Sequence, residues 1–240
     1  MYISRKIQRL IYIVKKRCVL KIDSHSYKLH RYGNHYGGFM VFDKDLKKKK
    51  NAVVYSFGIG EDLSFSEDIL SSLSAEIFAF DPTPKAIEYV KKHRLYGNEN
   101  FHFEDIGLSD KDETEKFYVT TKDAKDISGS IIQRDELIKE GIDVEMQCIP
   151  TIAARFGHKH IDILKMDVEG SEFKVIENLD WTAWDHTIDQ ICLEVHDRFL
   201  DDGIERLKKC VNTLKSSGYL LVYISFKGDE LTFIKKEIDV

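Results

Sequence analysis

The sequence predicts an α/β fold, with a mostly parallel seven-stranded sheet and helices on both faces. A C-terminal antiparallel hairpin closes the sheet, and an N-terminal helical and β extension precedes it. Three observations predict this. From residue 52 onward, short apolar runs of strand length alternate with helical patterns. The first of these runs ends in a tight turn, Gly58-Ile59-Gly60. The chain closes on two β-rich runs, Tyr219 to Phe226 and Leu231 to Ile234, that read as a hairpin.

In chain order, Ile3, Ile7, Leu10, Ile11 and Val14 recur at helical spacing, with Arg5, Lys6, Arg9, Lys15 and Lys16 between them. This is an amphipathic helix. It is expected to pack on the main domain or on a second subunit in a homodimer. Its basic face also suits peripheral contact with an anionic membrane surface. Residues 18 to 29 alternate like one or two strands, and Tyr36-Gly37-Gly38-Phe39 reads as a turn. We divide the chain into an extension, 1–35, and a main domain, 36–240. In the main domain, Ala52 to Phe57 is a strand and Ser64 to Leu73 a helix. Glu76 to Phe80 is the second strand, ending at Asp81-Pro82. Pro84 suits the first turn of a helix running to about His93, because its fixed φ and missing N–H are harmless there. Phe101 to Phe103 is the third strand. Residues 114 to 149 read as β-rich and irregular. Ile161 to Met166 and Ile188 to Val195 are strong strands, with a helix from Ser171 to Leu179 between them. A last helix, Gly203 to Leu214, leads into the hairpin.

Composition narrows the function. The 240 residues carry a net charge of −5, so no overall positive field draws in nucleic acid. Cys18, Cys148, Cys192 and Cys210 form no C-x-x-C pair and have no His at ligand spacing, which argues against a zinc site or a disulfide scaffold. No apolar stretch approaches membrane-spanning length and no signal-type segment is recognisable, so a cytoplasmic protein is expected.

In a doubly wound sheet the ligand lies beyond the carboxyl ends of the strands. The Gly58-x-Gly60 turn permits close backbone approach. Glu61 and Asp62 follow it and would repel a pyrophosphate, but not a cofactor carrying an ammonium and a sulfonium. Asp81, at the end of the second strand, stands where an acidic residue accepts from ribose hydroxyls. Leu164-Lys165-Met166-Asp167-Val168-Glu169-Gly170-Ser171-Glu172 brings two carboxylates to a strand end, Asp167 and Glu169. They would point to one side if the segment stays extended. Leu193-Glu194-Val195-His196 ends the next strand, so Asp167, Glu169, Glu194 and His196 converge on one edge. Glu169 or His196 could act as a general base. His196 is favoured, because a neutral imidazole needs no shifted pKa.

Residues 52–62, 78–84 and 163–172 together resemble FkbM-type methyltransferases, and Tyr36-Gly37-Gly38 and Glu194-Val195-His196 fit the same pattern. One departure is the first strand, which carries Ser56 and Phe57-Gly58-Ile59-Gly60 where many members have Asp and G-A-N-x-G. The resemblance implies a Rossmann-like class I methyltransferase fold using S-adenosyl-L-methionine. It implies O-methylation of a hydroxyl on a sugar, glycan or related metabolite, the acceptor being its partner. It further implies a cofactor site of Tyr36, Gly37, Gly38, Phe57, Gly58, Gly60, Glu61, Asp81, Pro82, Thr83, Ile106 and Gly107. Asp167 would lie near the methionine part, and Lys165 and Glu194 would orient the acceptor. The acceptor pocket would be built from the N-terminal segment and the loop around Ser128-Gly129-Ser130. Three competitors stand beside this reading. One is a metal-assisted methyltransferase with a divalent cation on Asp167, Glu169 and Glu194. The others are a nicotinamide-dependent oxidoreductase and a non-catalytic partner retaining the fold.

Overall fold

The computed structural model describes residues 5–119, 129–130, 142–181 and 187–238. Its elements run α1 (Arg5–Val19), β1 (Leu29–Tyr32), β2 (Phe39–Phe42), β3 (Ala52–Phe57), α2 (Ser64–Ser72), β4 (Ala75–Phe80), α3 (Pro84–Lys92) and β5 (Phe101–Glu104). There follow β6 (Gly107–Leu108), β7 (Glu113–Val119), β8 (Gly129–Ser130), β9 (Ile142–Gln147), α4 (Ile149–Phe156), β10 (His160–Met166) and α5 (Glu172–Asn178). The last are β11 (Thr187–Glu194), α6 (Gly203–Ser216), β12 (Tyr219–Ile224) and β13 (Glu230–Lys235).

The central sheet has seven strands in the order β12-β13-β11-β10-β3-β4-β5. Neighbours from β11 to β5 pair in parallel, and β13 is antiparallel to both β11 and β12. This is the expected Rossmann-like architecture. Strand order reverses between β3 and β10, which opens a crevice at their carboxyl ends. Both faces are covered, so alternate residues of one strand enter different cores. Tyr55 and Phe57 of β3 join Phe78, Leu164 and Leu193 on one face. Ala52 and Val54 join Ile77, Ile163 and Cys192 on the other.

Local chemistry sets the helix ends around the crevice. The Asp62 carboxylate accepts from the Ser64 N–H at 2.7 Å, satisfying a donor at the start of α2. Pro84 opens α3, as expected. In α6, Leu207, Cys210, Val211 and Leu214 are buried at one-face spacing.

Several expectations need correction. Of residues 18–29, only Leu29 belongs to a strand. Helix α1 runs to Val19, and the alternation that follows marks anchoring points such as Leu20 and Tyr27, both buried. Strand pairing starts at Leu29, and the β1–β2 hairpin straddles the division set at residue 35. The irregular segment contributes to a second sheet, β6-β9-β7-β8, whose short β6 lies ahead of it. It is followed by the unanticipated α4, whose signals were Pro150 in its first turn and Gly157 at φ 71° beyond its end. Of the Ser128-Gly129-Ser130 loop, residues 129–130 pair with the end of β7. Ser128 lies outside the described residues, as does Ile3.

Candidate functional site

A solvent-open crevice lies at the carboxyl ends of β3, β4 and β10, where a doubly wound sheet binds its ligand. Phe57, Gly58, Gly60 and Glu61 line it from the first turn, and Asp81, Pro82 and Thr83 from the second. Tyr36 and Gly37 cover it, Gly107 closes one side, and Lys165, Asp167 and Glu169 close the other.

The glycine turn is fixed by contacts on three sides. Gly58 has φ 77°, and a Cβ there would lie 1.6 Å from the carbonyl oxygen of Asp167, so no other residue fits. The Lys165 ammonium donates to the carbonyls of Phe57 and Gly58, at 3.1 and 2.5 Å. Lys165, expected to orient the acceptor, is buried and holds this turn. Asp81 accepts from the amides of Ile59 and Gly60 at 2.9 and 2.8 Å, and from the Thr83 amide and hydroxyl at 2.9 and 2.6 Å. Its carboxylate therefore shapes the turn as well as facing the crevice.

The crevice suits a cationic adenosyl cofactor. Glu61 is exposed at the rim, and Asp62 beside it holds the Asn34 side chain at 2.7 Å. Both complement positive charge, and the bare Gly58 turn gives close backbone access.

The acidic end differs from the extended arrangement expected. Glu169 sits at φ 48°, a left-handed conformation that costs a non-glycine residue about 1–3 kcal/mol. That bend still brings Asp167, Glu169 and Glu194 together around His196. Their oxygens each lie 3.7 Å from its Nε2. Behind the ring, Nδ1 faces Glu172 at 3.4 Å, and the His196 amide donates to the same carboxylate at 2.7 Å.

These contacts favour the charged form of His196, the residue expected to be the base. Burial alone disfavours its charge, but Glu172 and then Glu169 and Asp167 outweigh burial and raise its pKa to about 9. The charged form has no lone pair on the ring with which to accept a proton. His196 is also 99% buried, away from the crevice wall. In Glu194 it is the charged form that is disfavoured. Burial, then repulsion from Asp167, raises its pKa to about 7, and its side chain stays a quarter exposed.

Ligand atoms of Asp167, Glu194 and His196 lie within 4.8 Å of one another. The set offers two carboxylates and an imidazole at the spacing of a cation site. A second group, His160, Asp162 and Asp189, lies at the opposite end of β10 and β11, where the Lys49 ammonium already holds Asp162 at 2.5 Å.

Three expected residues do not line the crevice besides His196. Glu194 stands beside it, Ile106 is a core residue, and Gly38 is buried in the hairpin turn. Residues that sequence reasoning missed include Phe80, which stacks on Phe57 with ring centres 4.4 Å apart, and Phe117 and Met146 from the second sheet. Only Phe80, next to Asp81, carried a signal. Glu172 was also missed as a partner, although it lies inside the motif.

Comparisons with known proteins agree with this geometry. Residues 52–221 match the methyltransferase FkbM domain model. The chain is 27% identical over 152 residues to a probable methyltransferase-like protein 24 of Rattus norvegicus, and 26% over 149 residues to that of Homo sapiens. Each match covers 62% of this chain and 34% of the relative, so the chain spans about a third of their length. Among solved structures it is similar to a Methanococcus jannaschii fibrillarin pre-rRNA processing protein, at 12% identity and TM-score 0.44, over 89% of this chain and 85% of that one. It is also similar to an Aeropyrum pernix fibrillarin with bound S-adenosyl-L-methionine, at 12% and 0.40, over 88% and 84%. Such low structural agreement adds nothing to the topology already described. The family model covers well over half of the chain, from the first crevice strand to the closing hairpin, and so the chain belongs to the FkbM-type, S-adenosylmethionine-dependent methyltransferase domain family.

Proposed function

We propose that the protein methylates a hydroxyl of a neutral sugar or glycan, with Glu194 as the proton acceptor. The observation that carries this reading is the pair Asp167 and Glu169 on the crevice wall, with Glu194 clustered behind them around His196. Carboxylates accept from hydroxyl donors, and a sugar presents several at neighbouring positions. The same charges repel phosphorylated or carboxylated acceptors.

S-adenosylmethionine, when bound, supplies an electrophilic methyl group on a sulfonium. The glycine turn, with Asp81, Thr83 and the carboxylates at its rim, would hold it. The chain then has to align the acceptor oxygen with that methyl and remove its proton. Asp167 and Glu169 orient the acceptor, and the buried His196 imidazolium holds the three carboxylates in one place. Glu194, near pH 7, exchanges a proton without a large energetic penalty.

The test is incubation with S-adenosylmethionine and a panel of neutral, phosphorylated and amino-bearing saccharides, with mass detection of one added methyl. Neutral saccharides should gain it at oxygen. Methylation confined to amines, thiols or anionic acceptors would defeat the reading.

A further inference from the structure

Helix α1 is attached to the domain by its polar side. Lys16 is fully buried, and its ammonium meets Asp197 and Asp229, each at 2.6 Å. One turn earlier, the Tyr12 hydroxyl donates to Asp197 at 2.7 Å, and Arg17 donates to the Ser225 carbonyl at 2.9 Å. Tyr12 and Lys16 share a helix face, so their anchorage fixes the roll of the helix. The opposite face is left outward. On it Ile7, Leu10, Ile11 and Val14 are 52%, 61%, 43% and 56% exposed. This reverses the usual docking of an amphipathic helix, whose apolar stripe faces the core.

We propose that this outward face docks on an anionic phospholipid bilayer. The charge around it selects that occupant. Lys6, Arg9, Lys15 and Arg17 are exposed along the helix, and α1 contains no acidic residue. An apolar stripe with basic flanks and low overall hydrophobicity suits a helix lying in the headgroup region. A second copy pairing α1 against α1 would set cations against cations with no carboxylate on the helix between them. Asp197, Ser225 and Asp229 lie at the carboxyl edge of the sheet, and Asp197 follows His196 directly. The membrane-facing helix and the candidate site therefore share one edge.

The test is flotation of the full chain with vesicles of phosphatidylglycerol and phosphatidylcholine, and with pure phosphatidylcholine vesicles. Binding to the anionic vesicles should be at least about tenfold tighter and should weaken with salt. Lys6→Ser should lower it about fivefold. Leu10→Glu with Val14→Glu should lower it at least about tenfold. Both side chains point into solvent, so the thermal midpoint should not move. Equal partition onto both vesicle types, or no partition, would overturn the proposal, as would unchanged binding by the double variant. A dimer in vesicle-free solution that the double variant dissolves would assign the face to a second copy and overturn it as well.

Discussion

The His196 amide donates to the Glu172 carboxylate at 2.7 Å, and the imidazole Nδ1 faces that carboxylate at 3.4 Å, with both side chains out of water. The pair is a proton-linked element of stability. The pKa of His196 rises from 6.5 to about 9 on folding, so its contribution is complete below pH 6.5 and is lost as pH rises through about 9. The pKa of Glu172 is lowered, burial being outweighed by His196, so its share is present above the ordinary 4.5 and is lost in acid. The thermal midpoint should therefore fall between pH 6.5 and 9. Glu172→Gln should lower stability by about 3–5 kcal/mol, since it removes the carboxylate that faces Nδ1 of a buried imidazolium, and should flatten the alkaline slope. A wild-type midpoint that stays level across that range would contradict the charged form of His196.

Gly58 packs directly against the Asp167 backbone. A methyl group there must displace the Asp167 carbonyl, which is backbone, and would also strain a residue at φ 77°. Gly58→Ala should destabilise the domain by about 3 kcal/mol, near the top of the ordinary range for single substitutions. It should also abolish S-adenosylmethionine binding measured by calorimetry. Retained affinity in a folded variant would show that the turn can re-form elsewhere.

How much of this was legible depended on distance along the chain. β3, β4, β10 and β11 are apolar runs with local boundaries, so their order and the turn at Gly58 could be read directly. Residues 149–156 were not, because their apolar residues continue those of β9, and the helix is marked only by Pro150 and Gly157. Asp81 could be placed at a strand end, but its four hydrogen bonds to the neighbouring turns require the folded crevice. The charge on His196 was the least legible, since it depends on Glu172, 24 residues away, and on burial of both. A pKa is a property of the assembled environment and leaves no mark on residue order.

Asp81 holds the glycine turn and faces the crevice at once, so its removal should have two effects. Asp81→Ala should weaken S-adenosylmethionine binding by about 1.5–3 kcal/mol, the usual loss for hydrogen bonds to a charged group. It should also lower the thermal midpoint, because the Ile59 and Gly60 amides lose their acceptor. Calorimetry and melting on one preparation separate the two. A lower midpoint with unchanged affinity would make Asp81 a turn residue only.

The base is the sharpest point of the reading. Glu194 has its pKa raised to about 7 by burial and by Asp167, and only its ionised form can take a proton. With Glu194 as base, kcat should rise with pH through about 7 and then level. Glu194→Gln should lower kcat by about 10²–10⁴-fold, with S-adenosylmethionine affinity nearly intact. Glu169→Gln should mainly raise KM for the acceptor, because Glu169 lines the crevice as an orienting group. Should the kcat loss appear in Glu169→Gln instead, the two roles are exchanged. His196→Ala is less informative alone, because it also strands Glu172 and loosens the three carboxylates. His196→Lys, which keeps a cation, should recover part of the lost stability. If His196 were the base, the kcat profile of Glu194→Gln would still titrate, and near-normal turnover in that variant would move the proton to another group.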